Sequence, residues 1–184
     1  MSTVEVFGEV LGPTSEHFLP RPFGESYDMQ QLRRLAALPR LSSASFCDVP
    51  LTDEGLGYVC ECTTLDNLRL QHTALTNGGL AVLARLPALR YLRLKDNPQL
   101  DDGCVPHLSA LTRLVNLQVH ETSIRATGLM ALSGVPDLEE LVVDTETGSR
   151  EALEALSRKR PKCEILVKGQ GSFFAGRFEG RWQE

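Results

Sequence analysis

No stretch of this 184-residue chain reaches the ~18 consecutive apolar positions that a membrane-spanning helix needs. The opening Met1-Ser2-Thr3-Val4-Glu5-Val6 lacks the basic segment and apolar run of a secretory leader. A soluble, cytoplasmic protein is the expectation. Surplus positive charge is also missing: the formal net charge is −5, which gives no general attraction to phosphate backbones or anionic lipid, so neither nucleic acid nor membrane is expected as a partner. Cysteine is sparse and odd in number. Cys47, Cys60, Cys62, Cys104 and Cys163 are scattered among apolar positions, which reads as reduced thiols and not as a disulfide framework. His17, His72, His107 and His120 do not join them at zinc-ligand spacing, so no metal and no cofactor is expected. The remaining composition, 42% hydrophobic and 23% charged, is that of a folded globular chain, and the length suits one domain.

What the sequence does contain is an internal repeat. The pattern L-x-x-L-x-L is clearest at Leu65-Leu68-Leu70 and Leu89-Leu92-Leu94, continues at Leu114-Leu117-Val119 and Leu138-Leu141-Val143, and extends back in weaker form to Leu41-Ala44-Phe46. The first positions step by 24, 24, 25 and 24 residues. Each copy is followed by a second half-motif: Leu51-Thr52-Asp53-Glu54-Gly55-Leu56, Leu75-Thr76-Asn77-Gly78-Gly79-Leu80, Leu100-Asp101-Asp102-Gly103-Cys104 and, more loosely, Ile124-Arg125-Ala126-Thr127-Gly128-Leu129. Apolar residues then recur at helical spacing, as at Leu80, Leu83 and Leu86, which predicts one short helix per repeat with the preceding Thr or Asp as N-cap. One strand-plus-helix unit cannot cover its own apolar face; stacked copies bury those faces against one another.

On these residues the chain resembles the leucine-rich-repeat family, and the L-T-D-x-G-L segment resembles its strand-and-helix, ribonuclease-inhibitor-like subclass. The resemblance covers roughly Leu38 to Lys168 and implies a small stand-alone α/β solenoid with a curved parallel sheet on the concave face and short helices on the convex face. The fifth copy departs from the pattern, with Glu146-Thr147-Gly148-Ser149 in place of L-T-D, and the first has Ala44 where Leu is usual.

Three segments are expected. Residues 1–37 fall outside the frame and read as an N-terminal cap: a strand or hairpin at Val4, Val6 and Val10, an irregular loop through Pro20-Arg21-Pro22-Phe23-Gly24, and a helix capped by Asp28 that carries Leu32, Leu35 and Leu38. Residues 38–168 hold about five repeats and a closing strand near Cys163, whose register the sequence leaves ambiguous. Residues 169–184 carry Phe173, Phe174, Phe178 and Trp182 among glycines and arginines. This tail reads either as a cap packing its aromatics on the last repeat or as an arm that orders on a partner.

Alternation along each strand sends the leucines inward and leaves three outward columns. They read Ser43, Asn67, Tyr91, Asn116, Glu140; then Ser45, Arg69, Arg93, Gln118, Val142; then Cys47, Gln71, Lys95, His120, Asp144. Tyr91 beside Arg69, Arg93 and Lys95 has the make-up of an interface hot spot, an aromatic anchor among cations. Asn67, Arg69, Gln71, Tyr91, Arg93, Lys95, Asn116, Gln118, His120, Glu140 and Asp144 are therefore the candidate partner-binding residues. A fourth column just past the strands, Asp48, His72, Asp96, Glu121 and Thr145, reads as a solvated rim, with cation binding or acid-base chemistry as the alternative. The next positions, Thr73, Asn97 and Thr122, suit hydrogen bonds to the turn backbone.

Enzyme chemistry finds little support. No Ser or Thr accompanies His120 as a nucleophile, an open sheet does not exclude water, and Gly78-Gly79 and Gly169-Gln170-Gly171 lack the Lys-Ser/Thr signature of a phosphate loop. No small-molecule substrate is expected. The leading expectation is a protein-protein interaction module that grips a protein partner on its concave sheet, in one version as an inhibitor or immunity-type protein. The alternatives are a structural or adaptor subunit assembling through its helical face or tail and, more remotely, a metal-dependent enzyme at Asp48, His72 and Asp96.

Overall fold

A computed structural model of the chain describes residues 3–21, 27–132 and 135–183. Of the irregular loop expected at Pro20 to Gly24, positions 22–24 lie outside the described residues. The chain opens with the expected hairpin, β1 (Val4–Val6) and β2 (Glu9–Leu11), paired antiparallel. Its two-residue turn, Phe7-Gly8, is left-handed at both positions, with φ of 54° and 78°, the turn geometry whose twist matches that of the flanking strands.

β3 (His17–Phe18) starts the main sheet, pairing in parallel with β4 (Ser43–Cys47) through His17↔Ser43 and Phe18↔Ala44. The ladder therefore begins inside the segment that the repeat frame leaves out, because a two-residue strand carries no periodicity to recognise. Phe18 is buried and packs edge-on against Phe46, with ring centroids 5.8 Å apart. β5 (Asn67–Gln71) and β6 (Tyr91–Arg93) continue the sheet. β7 (Asn97–Asp101) lies outside it, β8 (Asn116–Gln118) rejoins it, and β9 (Thr122–Ser123) pairs with β7. β10 (Glu140–Val143) and β11 (Glu164–Val167) complete the parallel part. β12 (Gly171–Phe174) and β13 (Arg177–Gly180) then fold back antiparallel along the same edge. The tail is thus paired into the sheet, and Phe173, Phe178 and Trp182 gather at its end with centroids 4.8–6.1 Å apart.

The register places Leu68, Leu92, Leu117 and Leu141 directly side by side, each essentially without solvent contact. Ala44 extends this spine at one end and Ile165 at the other. The pairing Leu141↔Ile165 fixes the register of the closing strand: the step is again 24 residues, Ile165 and Val167 take the inward positions, and buried Cys163 lies two residues ahead of Ile165 where Leu138 lies three ahead of Leu141. Burial of a leucine side chain is worth about 2 kcal/mol, so every added repeat contributes inward-facing aliphatics that its neighbours cover.

The opposite layer mixes helix types. Met29–Ala37 and Gly78–Arg85 are 3-10 helices, whereas α1 (Asp53–Val59), α2 (Val105–Ser109), α3 (Ala126–Leu129) and α4 (Arg150–Lys159) are α-helical. The triplet spacings Leu32-Leu35-Leu38 and Leu80-Leu83-Leu86 match the three residues per turn of a 3-10 helix, and all six side chains are buried. The expected caps form: the side chain of Asp28 accepts from the backbone N–H of Gln30, and those of Thr52 and Thr76 accept from Gly55 and Gly79.

Polar side chains tie one repeat to the next. Fully buried Asn97 points its Nδ2 at the carbonyls of Leu70, Leu94 and Lys95, at 2.7–3.0 Å, and its Oδ1 accepts from both the N–H and the hydroxyl of Thr73. Thr122, at the equivalent place, donates its hydroxyl to the Val119 carbonyl. A second set runs through the L-T-D segments, where carboxylate oxygens of Asp53 accept from the Thr76 N–H and hydroxyl and Asp102 accepts from the Arg125 N–H. These carboxylates explain the glycines that follow: a Cβ on Gly79 would lie 1.9 Å from Asp53 Oδ1, and one on Gly128 would lie 2.3 Å from Asp102 Oδ1.

Removing Asn97 would strip partners from several carbonyls and from Thr73 at once. We expect Asn97→Ala to cost about 3 kcal/mol, read from the urea midpoint at unchanged slope, and the exposed Arg113→Ala to cost less than about 1 kcal/mol. Equal effects would show that Asn97 does not link the repeats.

Candidate functional site

Strand pairing realises the first two outward columns as read from the sequence. Ser43, Asn67, Tyr91, Asn116 and Glu140 are successive partners, as are Ser45, Arg69, Arg93, Gln118 and Val142. Asn67, Arg69, Tyr91, Arg93, Asn116 and Gln118 wall one shallow depression of about 150 Å³ floored by Leu92. Tyr91 is 40% exposed, and the Arg90 guanidinium lies 6.0 Å from its ring centroid. Arg69 is exposed, whereas Arg93 is half-buried and its Nε has no hydrogen-bond partner. Two of the walling amides are already engaged: Gln118 Nε2 donates to Asn116 Oδ1, and Asn116 Nδ2 donates to Glu140 Oε1 at 2.5 Å.

The third column departs from the sequence reading. Gln71 and Lys95 are half-buried, and Lys95 Nζ pairs with Glu121 at 3.2 Å. His120, expected to face outward, is only 2% exposed, with neither ring nitrogen hydrogen-bonded. It sits beyond the end of β8, where the chain turns at Glu121, within electrostatic reach of Lys168, Glu121, Arg93 and Lys95. Asp144 holds the turns together instead of facing a partner. Its Oδ2 accepts from the Glu121 N–H, and its Oδ1 accepts from the N–H and hydroxyl of Thr147, capping the 3-10 turn Thr145–Thr147. The sign of this cap was in the sequence as Asp144-x-x-Thr147, hidden by the departure of the fifth repeat from L-T-D. Val142, in the second column, is buried as well. In exchange, Leu166 and Phe174 on the adjoining strands are exposed, Phe174 by 55%.

The fourth column owes its residues to the backbone. Asp48, His72, Asp96 and Glu121 all have φ between 49° and 60°, the left-handed region that Asp and His tolerate better than most side chains. His72 Nδ1 lies 2.8 Å from Asp48 Oδ1, and this hydrogen bond, more than the Asp96 charge, raises the His72 pKa. Among the described residues no three His, Cys, Asp or Glu side chains are grouped closely enough to hold a metal ion. The five cysteines are free, and burial pushes the Cys60 and Cys104 thiols up to about 12 and Cys163 up to about 11, far from the range of a reactive thiolate.

Parallel strands on one face, helices on the other, a repeat of 24 or 25 residues and a buried Asn bridging neighbouring turns define the leucine-rich-repeat fold. Solved structures of two leucine-rich-repeat proteins from Listeria monocytogenes are similar to it. Internalin C2 superimposes with a TM-score of 0.51 at 21% identity, covering 76% of this chain and 55% of that one. The internalin inlF also gives 0.51, at 17% identity, covering 83% of this chain and 46% of that one. The chain thus spans about half the length of either structure. Its sequence matches no protein-family model and no curated protein. Among the described residues no helix is long and apolar enough to cross a membrane.

His120 gives this face a pH signature. Burial, with the nearby Lys168, Arg93 and Lys95 charges acting the same way against Glu121, lowers its folded pKa below the ordinary 6.5. The unfolded state then binds more protons, so the contribution is neutral above about pH 6.5 and destabilises the fold as the pH drops below it. His72 acts with the opposite sign. We expect His120→Leu to gain melting temperature relative to the parent between about pH 7.5 and 5.5; a difference that stays constant with pH would refute the assignment.

Proposed function

We propose that the open face of the sheet binds a protein partner, centred on Tyr91, Arg69 and Arg93. The observation that carries this reading is the depression those residues wall with Asn67, Asn116 and Gln118, a single patch with an exposed aromatic ring and unneutralised guanidinium groups. That composition concentrates binding energy at protein interfaces. Lys95 and Gln71 border the patch, and Glu140 marks its acidic side. Of the fifteen positions in three columns on five strands, His120 and Val142 are buried and Asp144 is committed to a turn; the remaining twelve are short of the ~20–30 per side of a standard interface. Leu166 and Phe174, exposed on the same face, supply the missing area and bring the tail into the binding surface.

In this reading the sheet is concave, as in the ribonuclease-inhibitor-like subclass, and the β1–β2 hairpin and the β12–β13 strands serve as caps. The protein works in the cytoplasm as a non-enzymatic binder that acts by occlusion, in the manner of an inhibitor or immunity protein. The repeat architecture shared with the internalins supports a recognition scaffold. The fourth column is a set of turn residues and does not support the metal-enzyme alternative.

The test compares capture of partners from the native lysate by the parent, by Tyr91→Ala plus Arg93→Glu, and by Ala81→Arg on the exposed helical side. We expect the double substitution to weaken capture at least about tenfold and Ala81→Arg to leave it unchanged. The reverse result would favour assembly through the helical layer.

A further inference from the structure

We infer that the depression on the sheet is a seat for one side-chain carboxylate, a Glu or Asp presented by the protein partner, held between Arg69 and Arg93. The inference rests on the open face being the binding surface and specifies what it recognises.

Arg69 and Arg93 are direct partners in the parallel ladder, so their backbones are about 4.8 Å apart and their side chains leave the sheet on the same face. Like charges placed so close oppose each other, and proteins ordinarily relieve this with an intervening acid. Here none intervenes. Among the described residues the ion pairs of the arginines and lysines engage Arg33, Arg40, Lys95 and Arg158, and neither Arg69 nor Arg93. Acidic residues are not scarce, since the chain has 24 Asp and Glu against 19 Lys and Arg. Glu140, on the same outward column as Asn116, accepts from Asn116 Nδ2 and forms no ion pair with either arginine. The buried Nε of Arg93 is left without an acceptor, which costs free energy until an acceptor arrives.

Size and surroundings narrow the class of acceptor. About 150 Å³ is well below the ~300 Å³ at which sites for cofactors and drug-sized ligands begin, so the seat takes one side chain and not a nucleotide. Guanidinium groups match the planar carboxylate with paired N–H donors. Asn67 suits the second oxygen and the ring of Tyr91 the aliphatic stem, while Asn116 and Gln118 on the remaining wall already donate to Glu140 and Asn116. With a net charge of −5 on the chain as a whole, an acidic partner is repelled except where it delivers its carboxylate to this spot, which makes the pair a source of specificity. By contrast, the larger hollow beside Arg90, Arg113 and Lys162 is lined by Asp137 and Glu139 as well, so its charge is mixed.

The test is an NMR titration of the purified full chain with the peptide Ac-Gly-Glu-Gly-NH2, following the Arg Nε–H and the Asn and Gln side-chain amide signals. Ac-Gly-Gln-Gly-NH2 and sodium sulfate serve as comparison probes. We expect saturable shifts confined to Arg69, Arg93, Asn67, Asn116 and Gln118 with the Glu peptide, weakened as salt rises from about 50 to 200 mM. The exposed-site variant Arg69→Gln should weaken binding at least about fivefold, and Arg113→Gln should leave it unchanged. Absence of saturation, equal shifts with the Gln peptide, or sulfate binding as tightly as the Glu peptide would each overturn the seat. If the titration is silent while Tyr91→Ala plus Arg93→Glu still abolishes capture, the carboxylate seat falls and the protein-binding face stands. If the Glu peptide saturates while capture is untouched, the seat stands and the reading of the face as a partner surface falls.

Discussion

Every part of this molecule depends on the lateral contact between Leu68, Leu92, Leu117 and Leu141. A strand-and-helix unit of 24 residues has one apolar side and too little chain to fold over it; the only apolar surface of matching shape and pitch is another copy of itself. Parallel pairing in constant register satisfies the backbone and the side chains together, because the same step that aligns the hydrogen bonds sets leucine beside leucine. The polar bridges are subordinate to that contact. Asn97 and Asp53 reach their partners only because stacking has already placed the next turn within 3 Å, and the glycine at position 79 records how closely a neighbour's carboxylate passes.

Stacking leaves two consequences at the surface. Outward positions must be polar or covered, and where two of them carry like charge on adjacent strands the repeat itself holds the charges together. Arg69 and Arg93 are in that position. Their proximity follows from the register and not from any attraction between them, which is why the pair can remain unneutralised: the aliphatic spine beneath outweighs the repulsion above. The second consequence concerns ends. A stack has an open edge at each end, and both are met by short strands and aromatic clusters, Phe7, Phe18 and Phe46 at one and Phe173, Phe178 and Trp182 at the other.

Most of the repeat was legible in the linear chain, since a fixed period in leucine is a statement about contacts between copies as well as within one. The strand positions, their inward and outward faces, the caps at Asp28, Thr52 and Thr76 and the structural character of Asn97 all follow from spacing and residue type. Elements without a period were harder to see. β3 is two residues long, and the fifth repeat trades its L-T-D segment for a cap built on Asp144 and Thr147. The fourth column reads in one dimension as a solvated rim with chemistry as the alternative, whereas in three Asp48, His72, Asp96 and Glu121 are turn positions with a left-handed backbone.

Sequence alone determined the period, the aliphatic spine and the identity of the side chains sharing each of the first two outward columns, because these depend on local alternation and a repeat length. Only the tertiary structure decided which of those side chains remain available. His120 and Val142 are buried, Asp144 is committed to a helix cap and Lys95 to Glu121, while Arg69, Tyr91 and Arg93 converge on one hollow. The reason is that outward direction is a property of a strand, whereas exposure depends on what the neighbouring strands and the chain's own turns place over it.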